Sequence, residues 1–301
     1  MALLIKRVIV IANPASRRGK VLAQRAQKAF ARHGVECDLL FTERAGHGAE
    51  LAVHHAPLYD AIFALGGDGT VMEVAGAVAG SNTRVGVLAG GTGNLLARAM
   101  GIPLSVDRAV RSLIAGEEQL VDLGRFDDGR RMAIAAGVGI DSEMVAETPG
   151  WLKRRLGILA YVLMGSRAAL RAVLGGQYFN VRMTVDGVVH EREAATVMIA
   201  NFGAVLGNRI TLGPAIRTDD GLLDGCIFSP RSLLDAVRIM WRMLRRDFAT
   251  DPCMLYTHGS HIRVEVEPTR GWQADGELMG RTPFEVTVEP LALRLLVPRR
   301  S

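Results

Sequence analysis

Two consecutive segments constrain this chain more than any other feature. In AIFALGGDGTVMEVAGAV, from Ala61 to Val78, a short apolar run ends in Gly66, Gly67, Asp68, Gly69 and Thr70 and passes directly into a helical pattern. In RVGVLAGGTGNLLARAMG, from Arg84 to Gly101, the same order recurs around Gly90, Gly91, Thr92, Gly93 and Asn94. Strand, glycine loop and helix repeated in tandem are βα units, and such units build a parallel sheet covered by helices. Glycines at the junction let backbone N–H groups approach a phosphate, and the following helix N-terminus favours its charge. Gly-Gly and Asp-Gly also make plain tight turns. Two loops in successive units, both at the carboxyl ends of strands in one sheet, favour a phosphate-binding crevice.

The alternation extends on both sides of these loops. Strands are expected at Val8 to Ile11, Val35 to Phe41, Ala61 to Leu65 and Val85 to Leu88. Helical patterns cover Val21 to His33, Ala49 to His55, Thr70 to Val78, Leu95 to Met100 and Val106 to Ala115. Near Val121 to Arg125 the pattern changes to strands separated by Gly, Pro and Asp-Gly turns. They are Met132 to Ala136, Tyr178 to Val185, Ala194 to Ala200, Leu223 to Phe228, Ile262 to Val266, Phe284 to Val288 and Leu291 to Leu296. This predicts an α/β chain: an N-terminal doubly wound parallel sheet over 1–123, then a β-rich, mainly antiparallel sandwich over 124–288, with the tail 289–301 free to return to the first domain. Two helices interrupt the second domain, Trp151 to Leu174 and Arg231 to Phe248, the latter opened by Ser229 as N-cap and Pro230.

Composition narrows the partners. With 301 residues, 49% of them hydrophobic, the chain can bury two domain-sized cores, and 36 basic against 31 acidic residues suit an anionic partner without choosing one. Cys37, Cys226 and Cys253 stand far apart and read as reduced thiols of a cytoplasmic protein. The opening MALLIKRVIVIANP reads as a first strand rather than an export signal. The longest apolar stretch, Ile158 to Gly165, falls well short of the roughly 20 residues of a membrane span, so any membrane contact is expected to be peripheral. The 7 histidines show no HExxH spacing, which leaves no zinc site in view. Aromatics are 5% and do not interleave with basic residues, which argues against nucleic acid.

Two basic helices bear on the membrane. Trp151 stands beside Lys153, Arg154 and Arg155, and a stripe of Leu233, Val237, Met240, Trp241 and Leu244 runs beside Arg238, Arg242, Arg245 and Arg246. The second pattern fits either an anionic bilayer surface or a core-packing helix with solvated arginines. The core reading is preferred, because one helix must close the β domain.

No GxxxxGK[ST] occurs, and NPASRRGK after the first strand is not GxGxxG. What remains resembles a family. GGDGT followed by Glu73, GTGN followed by Ala97-Arg98, Asn13-Pro14, Thr42, Val121 to Gly124, Asn201, GNRITLGPAIRTDDGLLD and ADGE together resemble the diacylglycerol kinase catalytic domain of bacterial lipid kinases and sphingosine kinases. The resemblance runs through essentially the whole chain. It implies an NAD kinase-like first domain and an ATP-dependent lipid kinase that phosphorylates the hydroxyl of a membrane lipid, with diacylglycerol giving phosphatidic acid as the foremost case. ATP and the lipid headgroup would meet between the domains, the enzyme would be cytoplasmic and peripherally membrane-associated, and a homodimer is compatible with it.

Residue by residue, the resemblance implies that Asn13, Thr42, Gly66, Gly67, Asp68, Gly69, Thr70, Glu73, Thr92, Gly93 and Asn94 bind ATP. Asp68 would also join the Mg²⁺-linked network at the phosphates. Asp220, with the backbone carbonyls of Arg217 and Leu222, would form a second-domain Mg²⁺ site, and Asp122 would reach the metal through water. Such oxygen donors suit a hard cation. On pattern alone, Thr218 to Gly221 is also an ordinary turn. Glu277 would be the general base. Two positions depart from the family: Leu95 stands where Asp is common, and Arg17 where glycine is usual. The rival readings are an NAD kinase or other soluble small-molecule kinase, which would share GGDGT, and a non-catalytic nucleotide-binding regulator, suggested by Leu95.

Overall fold

The computed structural model describes residues 5–15, 19–139, 178–202, 204–205, 210–211, 217–249 and 251–299. Arg17, the expected helix over 151–174 and most of 206–216 lie outside the described residues. The chain divides into two compact units, 1–123 with 290–301, and 124–289.

In the first unit, β1 (Arg7–Ala12), β2 (Glu36–Phe41), β3 (Ala61–Gly66) and β4 (Arg84–Ala89) pair in parallel in the order β2-β1-β3-β4. Helix α1 (Gly19–Arg32) links β1 to β2, α2 (His47–His55) links β2 to β3, and α3 (Asp68–Ala77) links β3 to β4. Parallel crossovers are right-handed, so the step from β1 out to β2 and the steps back to β3 and β4 place α1 on one face and α2 and α3 on the other. Two further helices follow, α4 (Leu95–Ala99) and α5 (Val106–Ile114), and α5 packs on α1 while α2 packs on α3. Helices on both faces explain why β1 and β3 are buried along almost their whole length instead of in alternation. Phe30 and Phe63, both fully buried, meet edge-on at 4.7 Å. Gly86 makes room for them, since a Cβ there would stand 2.2 Å from the Phe63 ring.

Strand β5 (Glu117–Phe126) leads out of this unit. The second unit contains β6 (Arg131–Met132), β7 (Ala135–Gly139), β8 (Phe179–Val185), β9 (Val188–Ala194), β10 (Thr196–Ala200), β11 (Ala204–Val205), β12 (Ile210–Thr211), β13 (Leu223–Phe228), helix α6 (Leu233–Arg245), β14 (Met254–Gly259), β15 (His261–Glu267), β16 (Gly271–Ala274) and β17 (Glu277–Arg281). The last strand, β18 (Phe284–Val297), begins in it. Two antiparallel layers form, β18-β15-β8-β9 and β14-β13-β10-β7-β16-β17. Burial alternates along β8 and β15, as expected for a sheet with one wet face. Between the layers lie Met183, Val197, Ile199, Val264 and Val286, and Trp272 stacks on Phe284 at 4.3 Å.

Four local expectations are corrected. The strand read as Met132 to Ala136 is two strands, because Ala133 and Ile134 turn their N–H groups toward the Asp275 carboxylate instead of a neighbouring strand. The strands read as Phe284 to Val288 and Leu291 to Leu296 are one, running through Pro290. There Leu291 takes φ 49°, and fully buried Asp122 accepts its N–H at 2.7 Å. The β-domain helix is capped by Ser232, not Ser229: Ser232 Oγ accepts the Asp235 N–H, and the Asp235 carboxylate accepts from the Ser232 hydroxyl and the Arg231 N–H. Its core face is Ile239 and Met243, while Val237, Trp241 and Leu244 of the predicted core stripe face solvent.

Candidate active site

The loops after β1 to β4 all leave the carboxyl edge of the parallel sheet. Connection direction reverses between β1 and β3, and the crevice outside such a switch point is where open α/β sheets hold ligands. Asn13 follows β1 and donates its N–H to the Leu65 carbonyl, continuing the ladder one residue further. Its side-chain Nδ2 donates to Thr70 Oγ1 at 3.3 Å, joining the loops on the two sides of the switch point. Thr42 follows β2 and donates its N–H to the Ala12 carbonyl, and it is buried.

The two glycine loops pack backbone on backbone. Gly90 N–H donates to the Gly66 carbonyl at 2.8 Å, and a Cβ on Gly91 would lie 2.5 Å from Gly67 Cα. No side chain larger than hydrogen fits there. Gly66 is equally constrained, because a Cβ would stand 2.6 Å from the Thr70 Cβ where α3 begins. Asn94 closes the second loop: its Oδ1 accepts the Gly91 N–H and its Nδ2 donates to the Gly91 carbonyl, with its own backbone at φ 48°. Asparagine tolerates that left-handed conformation better than most residues. Thr92, at the loop tip, is exposed.

Asp68 ties the loops together. Its Oδ1 accepts the Leu95 N–H, 2.5 Å away at the start of α4, and Gly93 leaves space for its other oxygen. Burial pushes the Asp68 carboxyl above its ordinary range, opposed by the N–H groups of Leu95, Asn94 and Leu96. Leu95 therefore serves Asp68 through its backbone, a contact indifferent to the side chain at that position. The Glu73 carboxylate reaches α2, accepting the N–H groups of Gly46 at 2.9 Å and Gly48 at 3.2 Å. A carboxylate at a helix N-terminus satisfies donors that lack partners within the helix and complements its dipole.

In the second unit, Arg217, Asp219 and Asp220 are exposed. Asp220 Oδ1 accepts the Leu222 N–H at 3.1 Å, and Arg217 pairs with Asp219. Asp224, four residues beyond Asp220, is buried and accepts the Tyr256 hydroxyl. Burial pushes its carboxyl up to about 6, against the Tyr256 hydrogen bond and with a further push from Asp220. Among the described residues no group of three or more His, Cys, Asp or Glu side chains is arranged to hold a metal ion. The set implied for Mg²⁺ has one carboxylate and two backbone carbonyls. That donor chemistry fits, since Mg²⁺ takes one or two carboxylates and keeps several waters.

Glu277 is the first residue of β17, paired with Ala274 across a two-residue turn. Asp275 at φ 48° and Gly276 at φ 89° match the type I′ hairpin turn. The Glu277 carboxylate is exposed and has no hydrogen-bond or ion-pair partner among the described residues. Asp275 is its opposite. It is buried, and its carboxylate accepts the N–H groups of Ala133 at 2.7 Å, Ile134 at 2.8 Å and Ala135 at 3.0 Å. Asn201 holds the other side of the same segment, donating Nδ2–H to the Ala133 carbonyl and N–H to the Ile134 carbonyl. The turn that carries Glu277 is thereby fastened to the chain between β6 and β7. Asp275→Ala, which leaves three N–H groups without their acceptor, is expected to cost about 3 kcal/mol or more in urea unfolding. Wild-type stability would show that water replaces the carboxylate.

A family model described as the diacylglycerol kinase catalytic domain matches residues 7–126, and one described as the YegS C-terminal NAD kinase beta sandwich-like domain matches 133–297. The chain belongs to the diacylglycerol kinase catalytic-domain family. A diacylglycerol kinase of Bacillus subtilis is 32% identical over 99% of this chain and 98% of its own length, and one of Staphylococcus aureus is 30% identical over 92% and 88%. An uncharacterized Synechocystis protein is 30% identical over 79% of this chain, which spans 54% of that protein's length. Among solved structures, two from Bacillus anthracis share the fold. One, with a TM-score of 0.78 and 22% identity, covers 99% of this chain and 98% of its own; the other, a diacylglycerol kinase, has a TM-score of 0.73 and 20% identity, covering 97% of each.

Within this diacylglycerol kinase-like chain, Asn13, Thr42, Gly66 to Thr70 and Thr92 to Asn94 come together along one edge of the parallel sheet. Glu73 and Asp122 belong to the same unit, with carboxylates bonded to Gly46 and Gly48 and to Leu291. Arg217, Asp220, Leu222 and Glu277 belong to the second unit. Asp275 and Asp224 were not singled out from sequence. Both sit inside motifs that were, ADGE and TDDGLLD, but a buried carboxylate that holds distant donors, backbone N–H groups for Asp275 and the Tyr256 hydroxyl for Asp224, looks no different in sequence from one in solvent.

Proposed function

We propose that the chain transfers the γ-phosphoryl group of ATP to the hydroxyl of a membrane lipid, with diacylglycerol yielding phosphatidic acid as the leading case. The observation that carries this reading is the glycine-tight contact of the two loops beside the β1/β3 switch point, in a chain of this family. Backbone N–H groups of the GGDGT loop, at the start of α3, would receive the phosphates. Asn13, Thr42 and Thr92 would line the nucleotide, while Glu73 and Asn94 serve it by holding α2 and the second loop in place. The oxygen–phosphorus bond to ADP breaks as the bond to the lipid oxygen forms, and the hydroxyl proton passes to the Glu277 carboxylate. Mg²⁺, when bound, neutralises charge on the transferring phosphoryl group. Asp68 and Asp122 would act on the phosphate-linked metal. Asp220, with the carbonyls of Arg217 and Leu222, would hold Mg²⁺ in the second unit. Among the described residues no helix is long and apolar enough to cross a membrane; the chain would work at the bilayer by peripheral contact from the cytoplasmic side, where its ATP is.

Incubation with radiolabelled ATP and, separately, diacylglycerol, sphingosine, phosphatidylglycerol and NAD tests the reading. Label is expected in a lipid, diacylglycerol foremost. Label in NAD alone would establish the soluble-kinase alternative, and label nowhere the non-catalytic one. The metal is tested apart from turnover: Asp220→Ala is expected to lose the rise in melting temperature that Mg²⁺ gives the wild type, along with activity. An identical Mg²⁺ response in both proteins would place the metal elsewhere.

A further inference from the structure

Helix α6 is apolar on two opposite faces. One face, Ile239 and Met243, closes the core with Ala200, Cys253 and Met254. The other presents Leu234, Val237, Trp241 and Leu244 at 80%, 60%, 55% and 47% exposure. At 100° per residue these four share one arc opposite Ile239 and Met243. A single exposed leucine needs no explanation, but a stripe of four including a tryptophan does.

The charge along this stripe says what covers it. Arg231, Arg238, Arg245 and Arg246 are all exposed around the helix. Of the acids near them, exposed Glu193 pairs with Arg231 at 3.0 Å, while buried Asp251 and half-buried Asp235 steady Arg238 from beneath: Arg238 bonds Asp251 at 3.0 Å and lies 3.8 Å from Asp235. The Arg245 guanidinium lies 4.7 Å over the Trp241 ring, putting a cation on the aromatic face at the middle of the stripe. Asp247 is the one exposed acid between 231 and 249, and it bonds Arg242.

We propose that this outer face of α6 is the surface by which the protein lies on a bilayer containing anionic phospholipid. Leucine, valine and tryptophan enter the headgroup boundary, and the flanking arginines meet lipid phosphates. A second copy fits less well, because a two-fold contact would set the arginine row against itself. The proposal rests on the lipid kinase reading for its purpose and on the helix for its evidence.

Vesicle sedimentation tests it without ATP or acceptor lipid. The wild type is expected to bind phosphatidylcholine vesicles containing phosphatidylserine at least about tenfold more tightly than phosphatidylcholine alone, and less tightly as salt rises. The double variant Leu234→Ser with Trp241→Ser, and separately Arg245→Glu, should each lose most of that binding while phosphorylating a short-chain, water-dispersed diacylglycerol at the wild-type rate. Wild-type sedimentation by both variants overturns the proposal. So does a dimer, seen by ultracentrifugation, that the variants dissociate without changing vesicle binding. A wild type that docks through α6 yet phosphorylates no lipid upholds this surface and sinks the lipid kinase reading, so the two failures are distinguishable.

Discussion

Glu277→Gln is expected to lower kcat for lipid phosphorylation by about 10²- to 10⁴-fold, the range a positioned general base contributes. An alcohol is a weak nucleophile at neutral pH, and taking its proton as the phosphorus–oxygen bond forms is work that a glutamine of the same size cannot do. Glu277 is suited to this because its carboxylate is exposed and, among the described residues, spends no bond on the fold, while its turn is held by buried Asp275. The same facts predict almost no loss of stability and little change in ATP affinity. Turnover at saturating lipid, set beside calorimetric binding of an ATP analogue, measures both. Normal kcat in the variant would return Glu277 to an ordinary hairpin residue.

Asp68→Asn is expected to reduce transfer by about 10²- to 10³-fold, the scale on which loss of one group stabilising transition-state charge is felt. Asparagine keeps an oxygen for the Leu95 N–H and nearly the same volume. Burial already disfavours the Asp68 charge, so the fold should lose little when that charge is removed. Asp68→Ala is the contrast: it leaves the Leu95 N–H without its acceptor and should cost a further 1–3 kcal/mol or so of stability. Circular dichroism and melting separate the two effects. A folded Asp68→Asn protein that turns over like the wild type would remove Asp68 from the metal network.

Much of the first unit was legible because its parallel strands are continuous apolar runs and its loops are glycine-rich. The β1 to β4 cores, the helices between them and both glycine loops follow from patterns read within a dozen residues. Edge strands were less visible. β9, with its exposed Val188, Val189 and alternating charges, and β17, almost wholly exposed, carry no apolar alternation to betray them. Helix α6 was visible, but not which way it faced. Its two apolar stripes are equivalent in sequence, and only packing against Cys253 and Met254 selects Ile239 and Met243 for the core.

The sequence by itself determined the strand–loop–helix order, the glycines at 66, 67, 90 and 91, and the family whose motifs place Asp68, Asp220 and Glu277, because these depend on local backbone freedom and short spacing. Only the tertiary structure decided what each carboxylate does. Glu73 caps α2 from 25 residues away, Asp122 holds Leu291 from 169 away, and Asp275 holds Ala133 from 142 away. An acid's role is set by which donors the fold brings to it, and such distant partners leave no mark on the neighbouring residues.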